Sequence, residues 1–308
     1  MRQLASDRDR SGQDGQDGET DASMAMDRPG GGGRLFRRAL RQWPSTLALL
    51  LVVVVAGAAV IAPLVTRYDP LAIDPANMLL APSGDHPMGT DELGRDILSR
   101  IIFGGRVSLG TALVVVAASA AIGVPMGLVG GYTGGVVDAL FSRLTEIILA
   151  FPAILLAMGL IAVLGQGTLN AGVAVTVVSV PALARLARAN ALVEKEREYV
   201  DASRALGASH RWILFRTILP NSVGPLAVQA GIVATTAILL EAALSFLGLG
   251  TQPPTPSWGE MLNTSRGYLY QAWWYGLFPG LTLSLVVLAL NRLADTAQLF
   301  SRGGWRNL

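Results

Sequence analysis

Few residues in this chain could make or break a bond. Its one lysine, Lys195, sits in Glu194-Lys195-Glu196, whereas a P-loop needs Gly-Lys-Ser/Thr so that the ammonium reaches the β/γ-phosphates. His86 and His210 are the only histidines and cysteine is absent, which leaves neither His-Glu-x-x-His spacing nor thiolates for zinc. No Gly-x-Ser-x-Gly elbow presents a serine nucleophile. His86, beside Pro87, reads as a solvated loop residue. What remains is charge in an apolar setting: Arg143, Glu146 and Glu241 lie in or next to long apolar stretches. A charge at mid-membrane costs roughly 2.5–3.5 kcal/mol on insertion scales, so each should face protein or water. Arg143 and Glu146 share one helical face and can pair. An acid so placed could also carry protons, with Glu146 or Glu241 as the carrier of an ion-coupled secondary transporter.

The elements that must position these groups are membrane helices. Hydrophobic residues make up 51% of the 308 and charged residues only 15%, too few to cover a water-facing surface. A net charge of +2 gives no footing for nucleic acid. Segments 45–66, 107–131, 147–164, 168–184, 221–249 and 273–290 are each apolar enough to read as a span of about 20 residues. The third extends backward through Glu146 and Arg143, and the fourth is the weakest. Unbroken apolar runs argue for helices over barrel strands, which alternate. Lysine and arginine are dense in 1–43 and 185–216 and sparse in 250–272, which predicts six crossings with both termini in the cytoplasm. The expected organisation is a disordered cytoplasmic tail at 1–33, a basic juxtamembrane anchor at 34–44, and a six-helix domain at 45–300. That domain carries an external segment at 67–106 and a cytoplasmic loop at 185–220, and a short cytoplasmic tail follows at 301–308.

The cytoplasmic loop is the most patterned stretch. From Arg197 to Asn221 it reads as helix, glycine break, helix, stop. Gly207 can take the positive φ that ends a helix, Ser209 can cap the next one, and Pro220 should end it and turn the chain back to the membrane. Trp212, Phe215 and Leu219 recur at helical spacing beside Arg211 and Arg216. Such a helix could be a rigid knob for a cytoplasmic partner or a basic amphipathic helix on anionic lipid. In the second span, Gly123, Gly127 and Gly131 form overlapping Gly-x-x-x-Gly units, which let backbones approach within one subunit or at a dimer seam. Pro125, Pro152, Pro181, Pro225 and Pro279 put a possible kink in five of the six spans.

The loop resembles the EAA motif of ABC-importer permeases, Glu-Ala-Ala-x3-Gly-x9-Ile-x-Leu-Pro. Ala202, Gly207, Leu219 and Pro220 match; Asp201 stands for Glu, Ser203 for Ala and Thr217 for Ile. The stretch from His86 to Asp96, Gly130-Gly131-Tyr132-Thr133-Gly134-Gly135 with Asp138 and Arg143, and Glu241 to Gly250 leading to Ser257-Trp258-Gly259 are similar to DppC/OppC-type permeases. The resemblance covers about residues 40–300 and implies an all-α, six-helix fold of the type I importer permeases in the bacterial inner membrane. It implies a subunit with no catalytic, cofactor or metal site of its own, which forms half of a pathway for di- or oligopeptides or nickel chelates. The implied partners are a second permease, two ATPase subunits that consume the ATP, and an external substrate-binding protein. Tyr199, Asp201, Ala202, Ser203, Gly207, Leu219 and Pro220 would form the coupling loop. Arg143, Glu146 and Glu241 are the candidate pathway residues, with contact to a peptide's charged termini as one role.

Overall fold

The structure is a computed structural model that describes the backbone of residues 31–303 and the side chains of 43–298. The expectations for 1–33, for the arginines of 34–44 and for 301–308 fall on residues whose side chains lie outside that description. The chain divides at Pro44, and the bundle described below consists of residues after that point. Among the described residues all regular structure is helical. Five helices are long and apolar enough to cross a membrane, or six if one bent pair counts as a single span.

The principal helices are α1 (Gly31–Val60), α2 (Ile97–Thr133), α3 (Gly135–Leu149), α4 (Ala153–Leu164), α5 (Thr168–Glu194), α6 (Glu198–Ala205), α7 (Leu219–Phe246), α8 (Trp258–Ser265) and α9 (Trp273–Gly303). With 37 residues at 1.5 Å each, α2 is about 55 Å long and joins the two ends of the bundle. It starts earlier than the apolar stretch at 107, because Asp96 caps it: the carboxylate accepts from the Ser99 amide at 2.8 Å. It ends at Gly134, whose φ of +67° lets α3 fold back after one residue.

The glycine stripe of α2 faces α5. A Cβ on Gly123, Gly127 or Gly131 would lie 2.8, 2.1 or 2.6 Å from the carbonyl oxygens of Val180, Ala184 and Arg188. The stripe therefore serves contact within the chain, where packing rather than hydrophobicity holds membrane helices together. The weakest of the expected spans is thus part of α5, the most buried of the long apolar helices. Its small residues Ala171, Ala174, Ala184, Ala187 and Ala191 are all buried.

The third span is not one straight helix. Helices α3 and α4 meet at 92° around Ala150-Phe151-Pro152, and Pro152 precedes the first turn of α4. Proline there has no amide to continue the α3 ladder, so the possible kink is a full break.

Candidate functional site: the loop end of the bundle

Helix α6 ends in a complete Schellman motif. The Gly207 amide donates to the Arg204 carbonyl at 2.9 Å and the Ala208 amide to the Ser203 carbonyl at 3.0 Å, with Gly207 at φ +79°. Ser209 then caps the helical turn His210–Trp212 by accepting from the Trp212 amide at 3.3 Å. The expected stop at Pro220 does not occur. A wide π-helical turn, Ile213–Ile218, leads straight into α7, with the Leu219 amide bonded to the Leu214 carbonyl. That i→i+5 register carries the helix past a residue with no N–H and avoids the clash proline makes with the carbonyl four residues back. Proline begins the long helix instead of ending the short one.

The loop is fastened to the bundle from below. Val200, Ile213, Leu214 and Ile218 are buried in one cluster with Leu128 and Tyr132 of α2 and Leu183, Ala187 and Ala191 of α5. Around that seal, the Tyr132 hydroxyl lies 3.0 Å from Nδ1 of His210. The Arg204 guanidinium sits 5.7 Å over the Tyr132 ring. Lys195 donates to the Gly131 carbonyl at 3.2 Å. Tyr199 donates to Glu194 and accepts from Asn221 at 3.3 Å. Loss of hydration first, and the Glu194 bond second, push the Tyr199 phenol up to about 12. Asp201 pairs with Arg204 at 2.9 Å, and the Ser203 hydroxyl donates to the Tyr199 carbonyl. Ala202 is exposed.

The opposite face of the loop is open among the described residues. Leu206 is 89% exposed, and Trp212 and Phe215 are also exposed. Leu206 and Trp212 line a shallow cavity of about 330 Å³ together with Ser203, Gly207, Ala208 and Ser209.

The three charges expected in the membrane are in two places. Arg143 and Glu146 form an ion pair at 2.9 Å whose side chains are 80% and 60% exposed. Glu241 is far from them in kind: it is buried and accepts hydroxyl bonds from Ser108 at 3.1 Å, Ser245 at 2.9 Å and Thr251 at 3.4 Å. Those bonds tie α2 to α7 and to the segment that follows α7. A tighter pair, Arg188 with Asp138 in bidentate contact at 2.5 and 2.6 Å, joins α5 to α3. Nothing in the local pattern announced it, because its partners are far apart in sequence.

The other end of the bundle holds a second charged assembly. Arg100 reaches Asp91 at 3.3 Å and Glu260 at 3.1 Å, and Arg95 reaches Asp91 at 2.6 Å and Glu92 at 2.9 Å. Burial pushes the Glu260 carboxyl up, and the Arg100 charge opposes the shift. His86 is not the solvated residue its loop position suggests. Its side chain is 12% exposed and lies 3.0 Å from Asp96, stacked on Tyr68, because the carboxylate that caps α2 has a second oxygen to satisfy.

With this geometry in view, the comparisons with known proteins are decisive. Residues 123–301 match the family profile of the binding-protein-dependent transport system inner membrane component. The dipeptide transport system permease protein DppC of Alkalihalophilus pseudofirmus is 44% identical over 237 residues, 77% of this chain and 78% of that one. The chain belongs to this permease family. The di/tripeptide transport system permease protein DppC of Pseudomonas aeruginosa is also 44% identical, over 80% of this chain and 84% of that one. Among solved structures, the inward-facing MetNI methionine ABC transporter is similar at a TM-score of 0.53 and 23% identity, over 65% of this chain and 95% of that one, a likeness of fold. The permease is thus a multi-pass membrane protein of an ABC importer, and the ion-coupled alternative is left without support.

Proposed function

We propose that this permease forms half of the translocation pathway of an ATP-driven importer of di- or oligopeptides, beside a second, similar permease. Its 197–220 loop lies in the cytoplasm as the socket for one of two ATPase subunits, which bind and spend the ATP. Both termini share that side, as the lysine and arginine counts favour, and the end built around Arg100 faces an external substrate-binding protein. The chain itself catalyses nothing. The observation that carries the reading is the loop: Val200, Ile213, Leu214 and Ile218 anchor it while Leu206, Trp212 and Phe215 point away. Energy enters by contact, and a difference in contact between two states is what shifts a conformational equilibrium. Peptides are the favoured cargo because the relatives named above carry them; nickel chelates are the second possibility.

The test is purification from the native membrane. The permease is expected to bring with it a second permease and ATPase subunits, and to hydrolyse no ATP alone. Accumulation of solute against a gradient in vesicles containing only this chain would overturn the reading.

A further inference from the structure

Between α2, α3 and α5, close to the loop end, lies a cavity of about 340 Å³ lined by Asp138, Glu146, Arg185 and Arg188 among apolar and hydroxyl side chains. Its charged groups are not equivalent. Asp138 and Arg188 are committed to one another by two parallel bonds, the strong form of such a pair. Glu146 is held by a single bond to Arg143, and both side chains are open to the outside. One bond of that kind holds Glu146 less firmly than the two parallel bonds hold Asp138. The Arg185 side chain makes no hydrogen bond or ion pair among the described residues. One available cation on α5 thus lies across the cavity wall from one available anion on α3. The volume is near the lower end of the ~300–1,000 Å³ typical of small-ligand sites, enough for two or three residues of peptide and not for a long one.

We propose that this cavity is a zwitterion subsite that holds a short peptide by its ends as it passes: Arg185 takes the terminal carboxylate and Glu146, exchanging Arg143 for the ligand, takes the terminal ammonium. The Asp138–Arg188 pair is a positioning element that fixes the spacing of the two walls. The inference rests on the permease reading above and adds a location and a chemical class. It also separates a passing peptide from an anionic lipid headgroup, which would need Arg185 and have no use for Glu146.

The experiment uses the assembled transporter in nanodiscs, without the binding protein, and radiolabelled Ala-Ala as the probe. Wild type is expected to bind it, and N-acetyl-Ala-Ala and Ala-Ala-amide to compete at least about tenfold less well than Ala-Ala, the factor set by about 1.4 kcal/mol. Arg185→Gln should lose the discrimination against the amide and keep that against the acetyl form; Glu146→Gln should do the reverse, and Arg185→Lys should restore part of the first. No binding by wild type, unchanged discrimination in both variants, or displacement of the label by phosphatidylglycerol would each overturn the subsite. The binding protein is then added to the same samples, and the ATP hydrolysis it stimulates is measured. Intact stimulation with no discrimination sinks the subsite alone, whereas no stimulation in wild type sinks the permease reading with it.

Discussion

Gly207 has a role that few other residue types fill at low cost. Its φ of +79° closes the Schellman turn, and an L-residue in that region costs roughly 1–2 kcal/mol. Nothing lies within 4 Å of the place a Cβ would occupy, so the penalty is conformational and not steric. Gly207→Trp should therefore leave membrane insertion and chain level intact, while uptake falls several-fold and ATP hydrolysis becomes detached from it; normal uptake would count against the loop as the coupling element. Tyr199 offers a spectroscopic check on the same loop. Its folded pKa lies above the free value near 10, so the stabilisation from its protonated form is complete below pH 10 and lost as pH rises to about 12. A difference titration of wild type against Tyr199→Phe should show one phenol with its midpoint near 12; a midpoint near 10 would mean that the phenol is neither buried nor bonded to Glu194 in solution. Both residues were legible by type, Gly207 from the turn it had to make and Tyr199 from family likeness. Their supports, Tyr132 and Glu194, were not, because a bond between a helix end and a loop leaves no period in either segment.

At the scale of elements, periodicity served well where one helix packs with one face and poorly where backbone departs from the α register. The six apolar stretches located the spans, and Ser209, Gly207 and Asp96 sit where caps are needed. Two prolines misled for opposite reasons. Pro152 breaks its span into α3 and α4 where a kink was expected, whereas Pro220 was expected to break a helix and begins one. The wide turn at 213–218 makes the difference, and hydrogen-bond register of that kind is invisible in side-chain pattern. The glycine stripe of α2 left open which neighbour it met; the carbonyls of Val180, Ala184 and Arg188 answer that. Gly127→Ala forces a methyl into the Ala184 carbonyl and should cost about 1–3 kcal/mol, as overpacking does. Gly110→Ala, with nothing within 4 Å, should be neutral or stabilise by up to about 1 kcal/mol through helix propensity. In detergent Gly127→Ala should unfold at a lower temperature than wild type and Gly110→Ala at the same temperature or a higher one; equal shifts would mean that α2 and α5 are not in close contact.

At the scale of the whole molecule, the two ends are built alike and joined by one rod. At one end α2 presents Gly131 and Tyr132 to the loop; at the other its first turns carry Arg100 into the buried charge cluster and Ile101, whose carbonyl accepts from the Trp258 indole at 3.0 Å. Breaking a buried pair costs about 3–5 kcal/mol, so the Arg100 end should move with α2, and the loop end, sealed by the apolar cluster around Val200 and Ile218, should do the same. If the loop receives the push proposed above, the motion should reach the far end as rotation of the bundle, with little change inside it. The absence of cysteine makes this measurable, since two introduced thiols take spin labels without background from this chain, once the partner subunits are freed of reactive thiols. Gly84→Cys and Glu196→Cys place one label on each end at exposed positions. Their separation should stay constant to within about 2 Å, the size of helix shifts at packed interfaces, between nucleotide-free and ATP-bound transporter, while the distance from either label to a label on the second permease changes. A change several times larger within this chain would place the moving part inside the bundle, with the 92° break between α3 and α4 as the first place to look for it.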